Sequence, residues 1–341
     1  MRYAAILLML VLGAALLGAQ EQSAGPASKP ALEAFNAGMN SLSQNRLPQA
    51  LENFKKADRL EGGRCPACQK QIIAYAPELG DWKAADSAAA EMVAQAQDSK
   101  QQAVAHYESG SILMGEGLDN RKDALFTRAH EEFTKVLSLF ENFPLAIYSD
   151  GLALAHLDLD EESKSQFNRF AGLVPPDNPM RQRALLFVSR PEMARARMAP
   201  LFEITTLDGQ HLSLQDLQGK VVLINFWASW CGPCRDAIPH VEKIAKKYQG
   251  QPLVILSVSL DSSDDAWRQC VKKYQMTWLN YRDGSVGGPM ARLFEVREIP
   301  SFFFIDPEGV IQDQRLGDGL FNKKLEQQMA RARERHGSKS R

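Results

Sequence analysis

Three patterns of apolar and polar residues follow one another along the chain. Behind Met1-Arg2-Tyr3 an unbroken apolar run extends from Ala4 to Leu17. From Ala31 to about Arg197, apolar residues recur at three- and four-residue intervals, the period of helices with one buried face. Beyond Leu201 short apolar runs alternate with amphipathic stretches, as strands and helices do in an α/β sheet. Polar residues 20–30 and the prolines Pro175, Pro176 and Pro179 punctuate the changes. The predicted organisation is an export signal over 1–19, a linker over 20–30 and a helical region over 31–175. A connector over 176–198, an α/β domain over 199–331 and a basic tail over 332–341 complete it.

Within the helical region, Ala34, Gly38 and Leu42 precede the break Asn45-Arg46-Leu47-Pro48, and Ala50, Phe54 and Ala57 follow it. This alternation of small and large apolar residues on two helices resembles a tetratricopeptide repeat, in which small residues lie where helices cross closely. Ile147, Gly151 and Leu154, then Ser163, Phe167 and Phe170, give a similar unit closed by Pro175. Ile72 to Ala96 and Ala103 to Phe140 supply two further helix pairs that match the pattern poorly. Gly115-Glu116-Gly117 and Asp119-Asn120 predict a longer connecting loop in the third unit. About four degenerate repeats are expected, offering a surface to a protein partner. The Arg-rich stretch Arg181, Arg183, Arg190, Arg195 and Arg197 is expected to be a solvated connector.

In the C-terminal third, Leu201–Thr206 and His211–Leu214 read as paired strands around the turn Asp208-Gly209. Val221–Trp227 and Leu253–Ser259 are continuous apolar runs, as in buried parallel strands. Helices are expected over Asp236–Tyr248, Ala266–Tyr274 and Leu320–Glu334. Phe302–Ile305 and Val310–Gln312 flank Asp306-Pro307-Glu308-Gly309 and form an antiparallel hairpin at the sheet's edge.

The 341 residues suit two domains, and a formal net charge of −1 supplies no global attraction to nucleic acid. The N-terminal basic residue, apolar run and small residues Gly18-Ala19 have the layout of a secretory signal cleaved after Ala19. The apolar run is shorter than the ~20 residues of a membrane-spanning helix. An exported, periplasmic protein is therefore expected, with retention of residues 4–19 as an anchor the alternative. In that compartment cysteine pairs are oxidised.

Five cysteines are too few to build the fold, so their placement matters more than their number. Cys231 and Cys234 lie in Trp227-Ala228-Ser229-Trp230-Cys231-Gly232-Pro233-Cys234-Arg235, between a buried strand and a helix. At a helix N-terminus, backbone N–H groups and the macrodipole stabilise a thiolate. The two-residue spacing closes a disulfide within one turn, and Pro233 removes only a donor that the first turn does not use. Cys231 is the expected attacking thiol and Cys234 the resolving one. A zinc site lacks two further ligands, and haem attachment needs a His where Arg235 stands.

From about Ala199 to Arg331 the chain resembles the thioredoxin-fold thiol–disulfide oxidoreductases, and among them the exported TlpA/ResA-like branch. The resemblance rests on the Trp-Cys-Gly-Pro-Cys segment, on Asp208-Gly209 with Leu214 and Leu217-Gln218-Gly219-Lys220, and on Ile299-Pro300-Ser301-Phe302-Phe303-Phe304-Ile305-Asp306. It implies a central mixed sheet flanked by helices and a cis Ile299–Pro300 bond facing the disulfide. It also implies that Trp230, Gly232, Pro233, Ile299 and Pro300 support the site and that the Ile299 backbone pairs with a substrate chain. Independently, a proline opening a strand fits an edge strand or a cis turn. Two departures are visible: Asn225 stands where thioredoxin has a buried acid, and Ala237 where the branch often has Glu. The proton acceptor for Cys234 is thus unassigned. Gly-Pro between the cysteines resembles the reducing thioredoxins, near −270 mV. A reductase of protein disulfides is expected, recharged by a dithiol protein and needing no metal or organic cofactor. A helical scaffold with a vestigial redox domain and a thiol peroxidase are the rival readings. The peroxidase reading meets Ala228 where its usual motif has Thr.

Cys65-Pro66-Ala67-Cys68 opens a helix in the repeat region. A structural disulfide is the first expectation, with a second redox pair and a metal or inter-chain role as alternatives. Cys270 shares a helical face with Trp267, Val271 and Tyr274 and is expected in the core.

Overall fold

The computed structural model describes residues 25–44, 46–313 and 319–339, so the apolar run read as an export signal lies outside the described residues. The chain divides into two compact units, with the boundary between Arg195 and Ala196.

The first unit is all-helical. Helices α1 (Lys29–Ser43), α2 (Leu47–Leu60), α3 (Pro66–Tyr75), α4 (Trp82–Gln95) and α5 (Ser99–Asn120) are followed by α6 (Asp123–Leu139), α7 (Pro144–His156), α8 (Asp160–Leu173) and α9 (Pro179–Ser189). Each packs on the helix before it and the helix after it. Proline at the first turns of α1, α2, α3, α7 and α9 sets where these helices begin, because that turn needs no N–H there.

Three expectations give way here. Gly115 and Gly117 lie inside α5 rather than in a loop, and only Arg121 and Lys122 connect α5 to α6. Gly117 is a close-packing site. A Cβ at Gly117 would lie 2.8 Å from the Phe126 ring and one at Gly110 2.7 Å from Phe133, just as one at Gly38 would lie 2.6 Å from Phe54. The third unit therefore repeats the small-against-aromatic crossing of the first. Second, residues 179–195 do not form a solvated connector. Phe187 of α9 is buried against Phe167 and Tyr148, with ring centroids 5.0 and 6.4 Å away. Arg195 donates to the Ala155 carbonyl at 2.8 Å and to Asp160 at 2.6 Å, so this stretch closes the helical stack. Third, the C-terminal basic residues belong to a helix that continues to Lys339, with Ala332 buried.

The second unit holds strands β1 (Glu203–Thr205) and β2 (His211–Ser213), paired antiparallel, and a five-stranded mixed sheet. That sheet contains β3 (Val221–Trp227), β4 (Leu253–Ser259), β5 (Leu279–Arg282), β6 (Ser301–Ile305) and β7 (Ile311–Asp313) in the order β5-β4-β3-β6-β7. β3, β4 and β5 run parallel, while β6 and β7 are antiparallel to their neighbours. Helices α10 (Gly232–Lys247) and α11 (Asp264–Lys273) connect the parallel strands, with α12 (Pro289–Leu293) and α13 (Gly319–Lys339) following. β5 and α12 escape the sequence pattern because each is a single short segment carrying polar residues.

Alternation along β3 sends Val222, Ile224 and Phe226 into a core with Ile204, Leu212 and Phe294. Val221 and Leu223 enter the opposite core with Val241 and Ile244 of α10 and Met329 of α13. Both faces of the sheet are therefore covered, and the C-terminal ends of β3 and β4 open onto the start of α10.

Candidate active site

The last residue of β3 is Trp227, and four residues later Cys231 caps the N-terminus of α10. Cys231 and Cys234 are joined as a disulfide. The Cys231 Sγ accepts from the Cys234 backbone N–H at 3.2 Å, so one of the helix's unpaired donors is directed at this sulfur. The same donor and the helix dipole stabilise a thiolate at Cys231 once the bond is reduced. Cys231 is 7% exposed and Cys234 2%, whereas the preceding Trp230 is 63% exposed. Pro233 is exposed and Gly232 half-buried, which leaves the outer face of the disulfide loop uncovered.

Ile299 lies across from this loop, its carbonyl oxygen 3.9 Å from Cys231 Sγ. The Ile299–Pro300 peptide bond is cis. β6, which follows, is an inner strand between β3 and β7, so of the two expectations for Pro300 the edge strand is set aside. Trp230, Cys231, Gly232, Pro233 and Cys234 thus lie together at one helix end, and the cysteines pack against Ile299, which Pro300 follows.

A buried acid that the sequence reading passed over supports the loop. Asp261, just beyond β4, is 2% exposed and accepts from Ser229 N at 2.9 Å, Ser229 Oγ at 2.7 Å and Ser259 Oγ at 2.7 Å. Arg235 Nη1 donates to the Ser229 carbonyl at 2.6 Å. The segment entering Cys231 is therefore held on both its N–H and its C=O sides. The available signal was positional: Asp261 follows the carboxyl end of a strand adjoining β3, where α/β sheets place their sites.

Asn225 is buried on the face of β3 that carries Val221 and Leu223, and its Oδ1 accepts from Ser257 Oγ at 2.6 Å. Ser257 Oγ in turn accepts from Trp278 Nε1 at 2.7 Å. Asn225 Oδ1 thus ends a neutral chain, and Ala237 on α10 contributes no acid. Cys270 is buried in the same apolar cluster as Cys231, Cys234, Trp227, Trp267 and Met276. Burial, and then the charge of Asp261, pushes its thiol up and away from reactivity.

Cys65 and Cys68 form the second disulfide, at the N-terminus of α3 in the helical unit.

A mixed sheet whose central strand runs into a disulfide-bearing helix, opposite a cis proline, defines a thioredoxin-fold redox domain. Residues 196–314 match the AhpC/TSA family. The chain is 33% identical over 128 residues to the thiol-disulfide oxidoreductase ResA of Bacillus thuringiensis, covering 37% of this chain and 73% of that one. It is 36% identical to the thioredoxin-like protein YneN of Bacillus subtilis, over 39% of this chain and 77% of that one. Among solved structures, a thiol-disulfide oxidoreductase from Bacteroides fragilis is similar, with 26% identity, a TM-score of 0.36 and coverage of 38% of this chain and 98% of that one. The chain belongs to the ResA-like thiol–disulfide oxidoreductases of the thioredoxin fold.

Proposed function

We propose that the protein is an exported reductase of protein disulfides, working through Cys231 and Cys234 and recharged by a dithiol protein. The observation that carries this reading is the disulfide capping α10, with Cys231 Sγ 3.9 Å from the Ile299 carbonyl and Trp230 exposed beside it. In the reduced form the Cys231 thiolate attacks a substrate disulfide, forming a mixed disulfide and releasing one substrate thiol. The Cys234 thiolate then attacks Cys231 Sγ, releasing the second substrate thiol and restoring the Cys231–Cys234 bond. Two electrons pass to the substrate, and no metal or organic group is needed. The half-exposed rim around Ile299 and Pro300 suits an extended substrate segment laid against the disulfide loop.

The helical unit, read as tetratricopeptide-like, selects or positions the protein partner. Support comes from its hairpins, which present a linear series of helix faces. Residues 1–19 direct export to the periplasm. Among the described residues no helix is long and apolar enough to cross a membrane.

Cys234→Ser tests this reading. Its Cys231 thiol attacks but lacks a resolving partner, so a mixed disulfide with a protein substrate accumulates on Cys231 and dissolves on adding a reductant. Absence of any Cys231-linked adduct, with wild-type protein failing to reduce insulin disulfides, overturns it.

A further inference from the structure

The pair Cys65–Cys68 reproduces the local geometry of the catalytic disulfide. Cys65 caps α3 as Cys231 caps α10, and its Sγ accepts from the Cys68 N–H at 3.2 Å, the distance found at the other pair. Both sulfur pairs are buried to a similar degree, at 2% and 0% here against 7% and 2% there. What distinguishes this pair is an acid beside it. Asp58 of α2 is buried, and its Oδ1 accepts from the Cys65 N–H at 3.2 Å. Glu91 of α4 faces Asp58 and hydrogen-bonds to it. Gln69 of α3, fully buried, donates through Nε2 to Glu91 at 3.2 Å and to the Gly63 carbonyl at 2.8 Å. Its Oε1 is buried without a donor.

A purely structural disulfide has no use for a buried carboxyl group faced by a second, half-buried one, since burying an acid is costly. Protonation of Asp58 removes that cost, and burial followed by the Glu91 charge raises Asp58 to about 6. The other groups of this pocket are neutral: the Cys65 N–H, the Gln69 amide, and Ala34 and Phe35 of α1, which cover the disulfide. An acid of this strength readily protonates a thiolate, whose conjugate thiol has an ordinary pKa of about 8.5.

We infer that Cys65–Cys68 is a second redox-active disulfide, reduced by an external protein dithiol, with Asp58 as its proton carrier. A thiolate of the reductant attacks Cys65 Sγ, the Cys65–Cys68 bond breaks, and Cys68 leaves as a thiolate that takes the proton of the reductant's second thiol. That second sulfur then attacks the mixed disulfide. The reductant closes its own disulfide, and Cys65 leaves as a thiolate protonated by Asp58. Asp58 recovers from solvent the proton shed when the first thiol ionised. Two electrons and two protons are thereby gained by the pair. Access is through the segment entering Cys65, where Gly62 and Arg64 are exposed and Gly62 faces open space. This site does not depend on the role proposed for Cys231 and Cys234.

The test uses the full-length protein with dithiothreitol as the probe dithiol. Free thiols are trapped by alkylation and quantified peptide by peptide, while far-UV circular dichroism follows the helices. Cys65 and Cys68 are expected to become alkylated with the helical signal intact. In Asp58→Asn their reduction at pH 7 slows several-fold or more, while reduction of Cys231–Cys234 keeps its rate. In the unsubstituted protein the rate per dithiothreitol thiolate falls as pH rises through about 6, a readout that survives if the variant does not fold. Alkylation that appears only as the helical signal is lost overturns the inference, and so does a pH profile with no fall near 6.

Discussion

Glu108 on α5 is a carboxylic acid enclosed by helices, with Oε2 lacking any hydrogen-bond donor. Burial raises it to about 8, against a weak opposing pull from Lys70. Between about 4.5 and 8 the folded chain holds a proton that the unfolded chain releases, so stability falls as pH rises through that window, by about 1.4 kcal/mol per unit at most. Glu108→Gln keeps the shape and removes the titration. Its urea midpoint should match wild type near pH 4.5 and exceed it increasingly toward pH 8; parallel curves would show that Glu108 ionises freely. At the other site Asp261 does opposite work, accepting three hydrogen bonds as a buried acceptor. Asp261→Asn replaces one acceptor oxygen with a donor and leaves a Ser229 or Ser259 group facing it. The expected cost is about 1–3 kcal/mol in thermal denaturation, with several-fold slower insulin reduction. An unchanged melting curve would remove Asp261 from the support of the loop. Cys231 and Cys234 were legible because spacing, Pro233 and the strand-to-helix context agree. Asp261 was not, because a lone acid 30 residues on acquires meaning only when β4 is laid beside β3.

At the scale of elements, the helical unit depends on glycines set against phenylalanines. Gly38, Gly110, Gly117 and Gly151 each face one ring, of Phe54, Phe133, Phe126 and Phe167. A methyl at Gly110 meets Phe133, itself fully buried and unable to swing away. Gly110→Ala gains about 1 kcal/mol of helix propensity but incurs about 1–3 kcal/mol of overpacking, so net destabilisation is expected. Gly172, in the last turn of α8, has nothing within 4 Å of an added methyl, so Gly172→Ala should be neutral or mildly stabilising. Melting temperatures of the two variants, moving in opposite directions or one alone falling, check the distinction. The same residues explain why the pattern misled. Gly38 and Gly151 lay among apolar residues at helical spacing and read as helix, whereas Gly115 and Gly117, two residues apart and next to Asp119-Asn120, read as punctuation. Turn propensity and close helix packing both favour glycine, and only the partner ring across the crossing decides between them. The strands show the converse. β3 and β4 were visible as seven-residue apolar runs, but β5 has four residues with Asn280 and Arg282 among them and was not.

For the whole molecule, the separation of cores matters more than the count of domains. The clusters that hold the sheet draw on residues from Ala199 to Ala332, and include the one containing Cys231 and Cys234. Those that hold the helices draw on residues from Ala34 to Met180, and Phe187 of α9 packs on Tyr148 and Phe167 of α7 and α8 through aromatic contacts. Since the redox site takes every one of its supporting groups (Ser229, Arg235, Asp261, Ile299, Pro300) from the second unit, a chain of residues 196–341 retains what the chemistry requires. Produced alone, it should fold and reduce insulin disulfides at a rate within a few-fold of the full protein. A fragment without far-UV signal, or one that is folded but at least tenfold slower, would show that the helical unit completes the redox domain. If the fragment matches the full protein on insulin but not on partners trapped through Cys234→Ser, the helices act in partner choice. The shift of the boundary to Arg195 bears on the fragment's design. Starting at residue 176 would carry α9 away from Tyr148 and Phe167, leaving Phe187 stripped of its partners and exposing an apolar helix that a start at 196 avoids.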